Sequence, residues 1–180
     1  MEDGTAMNEE TLDNLSRLWA RAGAMFASTP ADVSPNLESL LLDTARHASE
    51  NPRLLIMAAT WLARYGRWVN VEDLANKTHN ELELRFKPVM GVLLECAGNL
   101  SFGRIDFSKA IAECSPASEA QPLFDIERQN PTLWKLAERS ASDISRKWGV
   151  WVPNFEPKYN AIRPEEWVAS NNPSFRLATR

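Results

Sequence analysis

The chain is short of the residues that most catalytic centres and stapled secreted domains depend on: 180 residues hold two histidines, two cysteines and seven glycines. Cys96 and Cys114 are not spaced as a CxxC pair and lie in apolar or mixed surroundings, so they read as reduced intracellular thiols, with a single disulfide between them as the alternative. No glycine falls in a P-loop or dinucleotide pattern, so nucleotide-dependent chemistry is not indicated and no cofactor is expected. HExxH and GxSxG are absent as well. The longest apolar run, residues 54–63, is interrupted by Thr60 and is too short to cross a bilayer. The acidic start Met1-Glu2-Asp3-Gly4 carries no apolar core of a secretory signal, so a cytoplasmic location is expected.

Hydrophobic residues make up 44%, enough to fill a core without staples. The formal net charge of −4 argues against wholesale coating of nucleic acid, which needs a clustered positive field. The charge is uneven along the chain. Acids dominate up to Glu50 (Glu9, Glu10, Asp13, Asp32, Glu38, Asp43), and bases lead from Arg128 onward (Lys135, Arg139, Arg146, Lys147, Lys158, Arg163). A chain polarised in this way steers an acidic partner to one end or satisfies its two ends against each other.

Leu12, Leu15, Trp19, Ala22 and Phe26 recur at helical steps and predict an amphipathic helix over 9–27, closed by Thr29-Pro30. Ser34-Pro35 opens a second helix with Leu37, Leu40, Leu41 and Ala45 as its buried stripe. Asn51-Pro52 opens a third, whose Leu54, Leu55, Ala58, Trp61, Leu62 and Tyr65 face inward before Gly66 stops it. This third helix is the most apolar and is expected at the centre of the core.

Beyond Gly66, Trp68-Val69 fits a very short strand, Asn70 caps a helix over 71–78, and Asn80 opens a further helical stretch towards Ala97, with Pro88 as an internal break. Leu100-Ser101-Phe102 and Ile105-Asp106-Phe107 flank Gly103-Arg104 as in a type II′ hairpin, while a helix from Asp106 to Cys114 is the competing reading, which leaves no hairpin. In its order of helix, short strand, helix, helix and hairpin, the segment 52–107 resembles the winged helix-turn-helix superfamily. The resemblance implies a DNA-binding regulator, with Arg85, Lys87 and Asn80 on the recognition helix and Arg104 in the wing, and with Glu81 and Glu83 opposing the phosphates.

Residues 115–121 read as a linker. Asn130-Pro131 starts a helix with Leu133, Trp134, Leu136, Ala137, Ala141 and Ile144 inward and Gly149 as its stop; Val150-Trp151-Val152 is a short extended run. The tail, with Pro153, Pro157, Pro164 and Pro173, is expected to wrap the body with one short helix over 164–169. The fold class expected is therefore mainly α: a helical bundle holding a winged-helix-like module with one short β-hairpin, and an irregular Trp/Pro-rich tail. Its parts are 1–50, 51–114 and 122–180, packed as one compact unit.

Local chemistry is sparse. Asp43 and His47 share a helix face and read as a surface ion pair; His79 reads as local hydrogen bonding, Cys96 as a buried inert thiol and Cys114 as a less enclosed one. No catalytic or metal-ligating residue is expected. Trp148, Trp151, Tyr159 and Trp167 are threaded among cations, a composition that suits either a stacking surface or a sealed core. Trp148 and Trp167 are expected to be buried and Trp151 partly exposed. The binding residues expected are Arg85, Lys87, Arg104, Arg146, Lys147, Trp151, Lys158, Tyr159 and Arg163. The expected function is a non-enzymatic regulatory or interaction protein that contacts a partner protein or a second copy of itself. DNA binding by the winged-helix-like module is the alternative, and an enzyme assembled only in three dimensions the third.

Overall fold

The computed structural model describes residues 3–26, 28–152 and 162–171. Among them are ten α-helices and one two-stranded parallel sheet: α1 (Asp3–Ala22), α2 (Leu37–His47), α3 (Pro52–Tyr65), α4 (Val71–Asn80), α5 (Lys87–Leu100), α6 (Ser108–Ala112), α7 (Asp125–Gln129), α8 (Pro131–Ser140), α9 (Asp143–Trp148) and α10 (Glu165–Asn171), with β1 (Gln121–Pro122) beside β2 (Val150–Trp151). The expected mainly helical bundle is what forms. No described helix is long and apolar enough to cross a membrane.

The helices begin where polar side chains can accept the unpaired N–H groups of a first turn. Asn36 accepts from Ser39, Asn51 from Arg53, Asn70 from Glu72 and Asp73, Asn130 from Thr132 and Leu133, and Ser142 from Ser145. α3 is the centre of the core: Leu54, Leu55, Ala58, Trp61, Leu62 and Tyr65 are fully buried, and the helix packs along α5. Trp61 stands edge-on to Trp19 at 5.7 Å and donates its Nε1–H to the Ala22 carbonyl at 2.9 Å, while Trp19 donates to Thr44 Oγ1 at 2.9 Å. Each indole thus buries its ring without stranding its N–H, so the roughly 1.5–3 kcal/mol of apolar transfer per large side chain is kept.

Several elements differ from the expectation, each for a local reason. α1 ends at Ala22 rather than at residue 27, because Gly23 takes φ +105° and closes a Schellman motif in which Ala24 N–H bonds Trp19 O and Gly23 N–H bonds Ala20 O. α2 starts at Leu37, two residues beyond Pro35, where Asn36 supplies the cap. Trp68-Val69 is not a strand: residues 66–68 form a 3-10 turn closed by Val69 N–H on Gly66 O. Helix does not run on from Asn80. A 3-10 turn over Leu84–Phe86 leads into α5, and Pro88 lies in its first turn, where a missing N–H costs nothing.

The β-hairpin at 100–107 is absent as well; the competing reading of that segment is the one observed. α5 continues to Leu100 and closes with Phe102 N–H on Asn99 O and Gly103 N–H on Gly98 O, after which Asp106 Oδ1 accepts from Ser108 N–H at the start of α6. The two strands lie instead in the C-terminal region and run parallel, with Gln121 opposite Val150 and Pro122 opposite Trp151. Parallel strands are covered on both faces, so Val150, Trp151 and Val152 are all buried and strand alternation gives Trp151 no exposed side. The expected helix after Pro131 breaks at Ala141, and Leu136 is exposed.

Candidate functional site

The end of α3 and the end of α5 meet at a glycine. A Cβ on Gly66 would come within 2.6 Å of the Phe107 ring and 3.2 Å of Ile105, so only glycine lets the 101–107 turn lie this close. Phe107 is buried there and anchors the turn. Arg104, at the tip of the turn, is thereby brought beside Arg64 in the last turn of α3 and Arg67 in the 3-10 turn that follows. The three line one cleft of about 430 Å³ together with Ala63, Leu100, Ser101, Phe102 and Ile105.

Phe102 is the unusual member. It occupies the left-handed position (φ 54°) of the Schellman motif that closes α5, a place normally taken by glycine, although Gly103 is the next residue. A side chain in this conformation costs about 1–2 kcal/mol. Nothing is recovered by burial, because Phe102 is 85% exposed, the most exposed large hydrophobic residue among those described. The strain therefore presents an aromatic ring to solvent at the rim of an arginine-lined cleft.

The cations of the cleft are unequally engaged. Arg67 pairs with Glu165 at the start of α10 and lies over the Trp68 ring at 5.3 Å; Arg64 lies over the Tyr65 ring at 5.4 Å, and among the described residues neither Arg64 nor Arg104 has an acidic partner. Tyr65 sits beneath them. Burial pushes its hydroxyl pKa up against the lowering pull of Arg64 and Arg67, and the hydroxyl donates to the backbone carbonyl of Arg163. That carbonyl, and the bond from Arg163 N–H to Gly23 O at 2.9 Å, tie the segment before α10 to the ends of α1 and α3. A guanidinium with free donors can clamp a carboxylate through two parallel hydrogen bonds, and an exposed aromatic ring supplies an apolar anchor beside it.

The residues expected to bind a partner are spread over several places. Arg104 lines the cleft, while Arg163 is tied to Tyr65 through its backbone carbonyl and has its guanidinium 4.6 Å from the Trp167 ring. Arg85 is exposed over Phe86 and lines a second cavity with Arg46 and Arg128. Lys87 is 9% exposed, buried at the start of α5 rather than offered on a recognition surface. Arg146 donates to the Glu138 carbonyl, and Lys147 pairs with Glu95 at 2.7 Å, the carboxylate that also accepts from Trp148 Nε1 at 2.8 Å. Trp151 is buried with its ring edge-on to Trp134 at 5.8 Å, so it seals core and does not stack a ligand. Trp148 is buried as expected, whereas Trp167 is only partly so. Lys158 and Tyr159 lie outside the described residues. Arg64, Arg67 and Phe102 were not among the expected site residues. The signals that bear on them are the alternation of cation and aromatic in Arg64-Tyr65-Gly66-Arg67-Trp68 and the glycine that follows Phe102.

The titratable groups are held in other ways. His47 pairs with Glu50 at 3.2 Å while Asp43 pairs with Arg46 at 2.8 Å, so the expected Asp43–His47 pair is replaced by two others. His79 bonds Glu113, the residue that follows α6, at 2.7 Å, a bond across the fold and not a local one. Burial first, and then the neighbouring Glu95, pushes the Cys96 thiol up to about 12; burial does the same to Cys114 against a lowering pull from Lys87. No group of three or more His, Cys, Asp or Glu among the described residues is placed to hold a metal ion. Compared with protein-family models, with curated proteins and with solved structures, the chain matches none.

Proposed function

We propose that this protein is a non-catalytic contact module whose arginine-lined cleft receives an acidic segment of a partner protein. The observation that carries the reading is Phe102, held in a strained backbone conformation and fully offered to solvent between cations that have donors to spare. Strain of this kind persists where the exposed group has a use. Arginine and aromatic residues are also the side chains that supply most of the binding energy at protein interfaces. Among the described residues lining the cleft, the one side-chain hydroxyl, Ser101 Oγ, donates to the Gly98 carbonyl, and both thiols stay protonated at neutral pH, which supports recognition over covalent chemistry.

A protein partner is favoured over DNA on electrostatic grounds. The net charge of −4 opposes a polyanion, whereas a short acidic segment needs to meet only the local positive field. The winged-helix reading draws support from the succession of α3, α4 and α5, but α5, which would have to enter a groove, is buried along most of its length.

Fluorescence anisotropy with a labelled peptide alternating glutamate and leucine tests the reading. The expected result is saturable binding that weakens with salt, is absent for the lysine–leucine counterpart, and is lost in an Arg64→Ala, Arg104→Ala double variant. Equal binding by that variant, or none at low salt, overturns the reading. Tighter binding of a single-stranded oligonucleotide than of the acidic peptide redirects it to nucleic acid.

A further inference from the structure

Resting on the reading above, we infer that the cleft already holds an internal ligand: Glu165 of α10 occupies Arg67 in the free protein, and a carboxylate of the acidic partner segment takes its place. The geometry separates a fixed part of α10 from a replaceable one. Val168 is fully buried, with its Cγ2 only 2.5 Å from where a Cβ on Gly23 would stand, so Gly23 is the notch that seats the helix on the end of α1. Just before the helix, Ile162 pairs with Ala24 in an antiparallel bridge, and Arg163 N–H bonds Gly23 O. These contacts hold the body of α10 in place.

Glu165 lies at the other extreme. Its side chain is 50% exposed and that of Arg67 57%, so their ion pair sits in water at the rim of the cleft. Exposed pairs of this type contribute about 0.2–1 kcal/mol, little enough for an incoming carboxylate to exchange with one by side-chain rotation alone. The resident group also indicates what the partner offers. Glu165-Glu166-Trp167-Val168 places acids in the first turn of a short helix and apolar residues directly after them. A partner segment built in the same way meets Arg64, Arg67 and Arg104 with its carboxylates and Phe102 with its apolar side. Competition by Glu165 sets a threshold, so that a single stray carboxylate does not suffice where a segment engaging all three arginines does.

The test uses the full chain and the same glutamate–leucine peptide. Glu165→Gln is expected to tighten binding about two- to fivefold, the range set by an exposed pair. Glu166→Gln, which removes an equal charge from the adjacent residue, is expected to leave the affinity within experimental scatter. Arg67→Ala is expected to weaken binding more in the Glu165→Gln background than in the unaltered chain, because only there are its donors free in the unbound state. Equal gains from Glu165→Gln and Glu166→Gln would reduce the effect to net charge and overturn the inference. So would no gain from Glu165→Gln in a chain whose binding is still lost with Arg64→Ala, Arg104→Ala, an outcome that leaves the cleft reading intact. Failure of both the unaltered and the Glu165→Gln chain to bind overturns the two together.

Discussion

Two cavities of this molecule are each lined by three arginines, and they differ in how those arginines are used. In the cavity of about 370 Å³ between α2, the start of α5 and α7, Arg46 bonds Asp43, Glu83 and the Glu81 carbonyl, while Arg128 bonds Asp125 and the Pro122 carbonyl. There Arg46 ties α2 to the segment before α5 and Arg128 closes a local turn, and only Arg85 has no ion pair among the described residues. In the cleft at the end of α3 the proportion is reversed: among the described residues Arg67 alone has an acidic partner, through an exposed and weak contact. Counting cations does not tell the two cavities apart; the number of guanidinium donors already spent does.

The strongest way to break the comparison is to remove the cleft and keep its arginines. Gly66→Val places a side chain where Phe107 and Ile105 already stand, and overpacking of this kind costs about 1–3 kcal/mol. Thermal unfolding should show a midpoint lowered by several degrees, and the acidic peptide should no longer bind because Arg104 is pushed away from Arg64 and Arg67. Next in size is Arg64→Ala with Arg104→Ala. Loss of two charge-assisted contacts should weaken peptide binding at least about tenfold, with stability changed by less than about 0.5 kcal/mol, since neither side chain has an acidic partner among the described residues.

Phe102→Gly sharpens the contrast from the other side. Glycine accepts the left-handed backbone without penalty but gains more freedom in the unfolded chain, so the net effect should be stabilisation of about 1 kcal/mol. Affinity for the peptide should fall at the same time. Chemical denaturation and anisotropy on one protein preparation would show the two quantities moving in opposite directions, which a purely structural role for Phe102 does not produce.

The parts of this fold written in local sequence were legible. Asn51-Pro52, Asn70 and Asn130-Pro131 open helices because an amide cap and a first-turn proline act through their own backbone, and the stripe from Leu54 to Tyr65 is buried because its spacing admits one apolar face. The end of α1 and the turn after α5 were not legible in the same way. Both depend on contacts far along the chain: left-handed Gly23 receives Val168, and Gly66, in ordinary helical conformation, receives Phe107 from the turn that left-handed Phe102 closes. Trp151 was misplaced because alternation predicts an open face, and β1, supplied by a segment that reads as a linker, belongs to a pair covered on both sides. The cleft went unseen for a related reason. Its cations come from 64, 67 and 104, which only the glycine notch brings together.

The smallest effect is expected in the other cavity. Burial disfavours the charge on Arg46, but Asp43 and Glu83 outweigh it and hold its pKa above the ordinary value; the backbone N–H of Glu83, and then Arg46, hold the Glu83 carboxyl below its own. A carboxylate whose pKa is lowered by folding adds stability above its unfolded pKa, and that contribution disappears as pH falls through the folded value. Arg46→Ala should therefore leave peptide binding unchanged and reduce stability at neutral pH by no more than about 1 kcal/mol, as partly exposed pairs do. Its deficit relative to the unaltered chain should shrink as the pH is lowered through the depressed value of the Glu83 carboxyl, where the charge that Arg46 pairs with is lost. Urea unfolding of the two chains at neutral pH and below the glutamate range measures this directly. A deficit independent of pH would mean that Arg46 acts through its bond to the Glu81 carbonyl and the packing of its stem. A loss of peptide binding would mean that the two cavities are not separate in function, and that the division between spent and free arginines drawn from their hydrogen bonds does not hold.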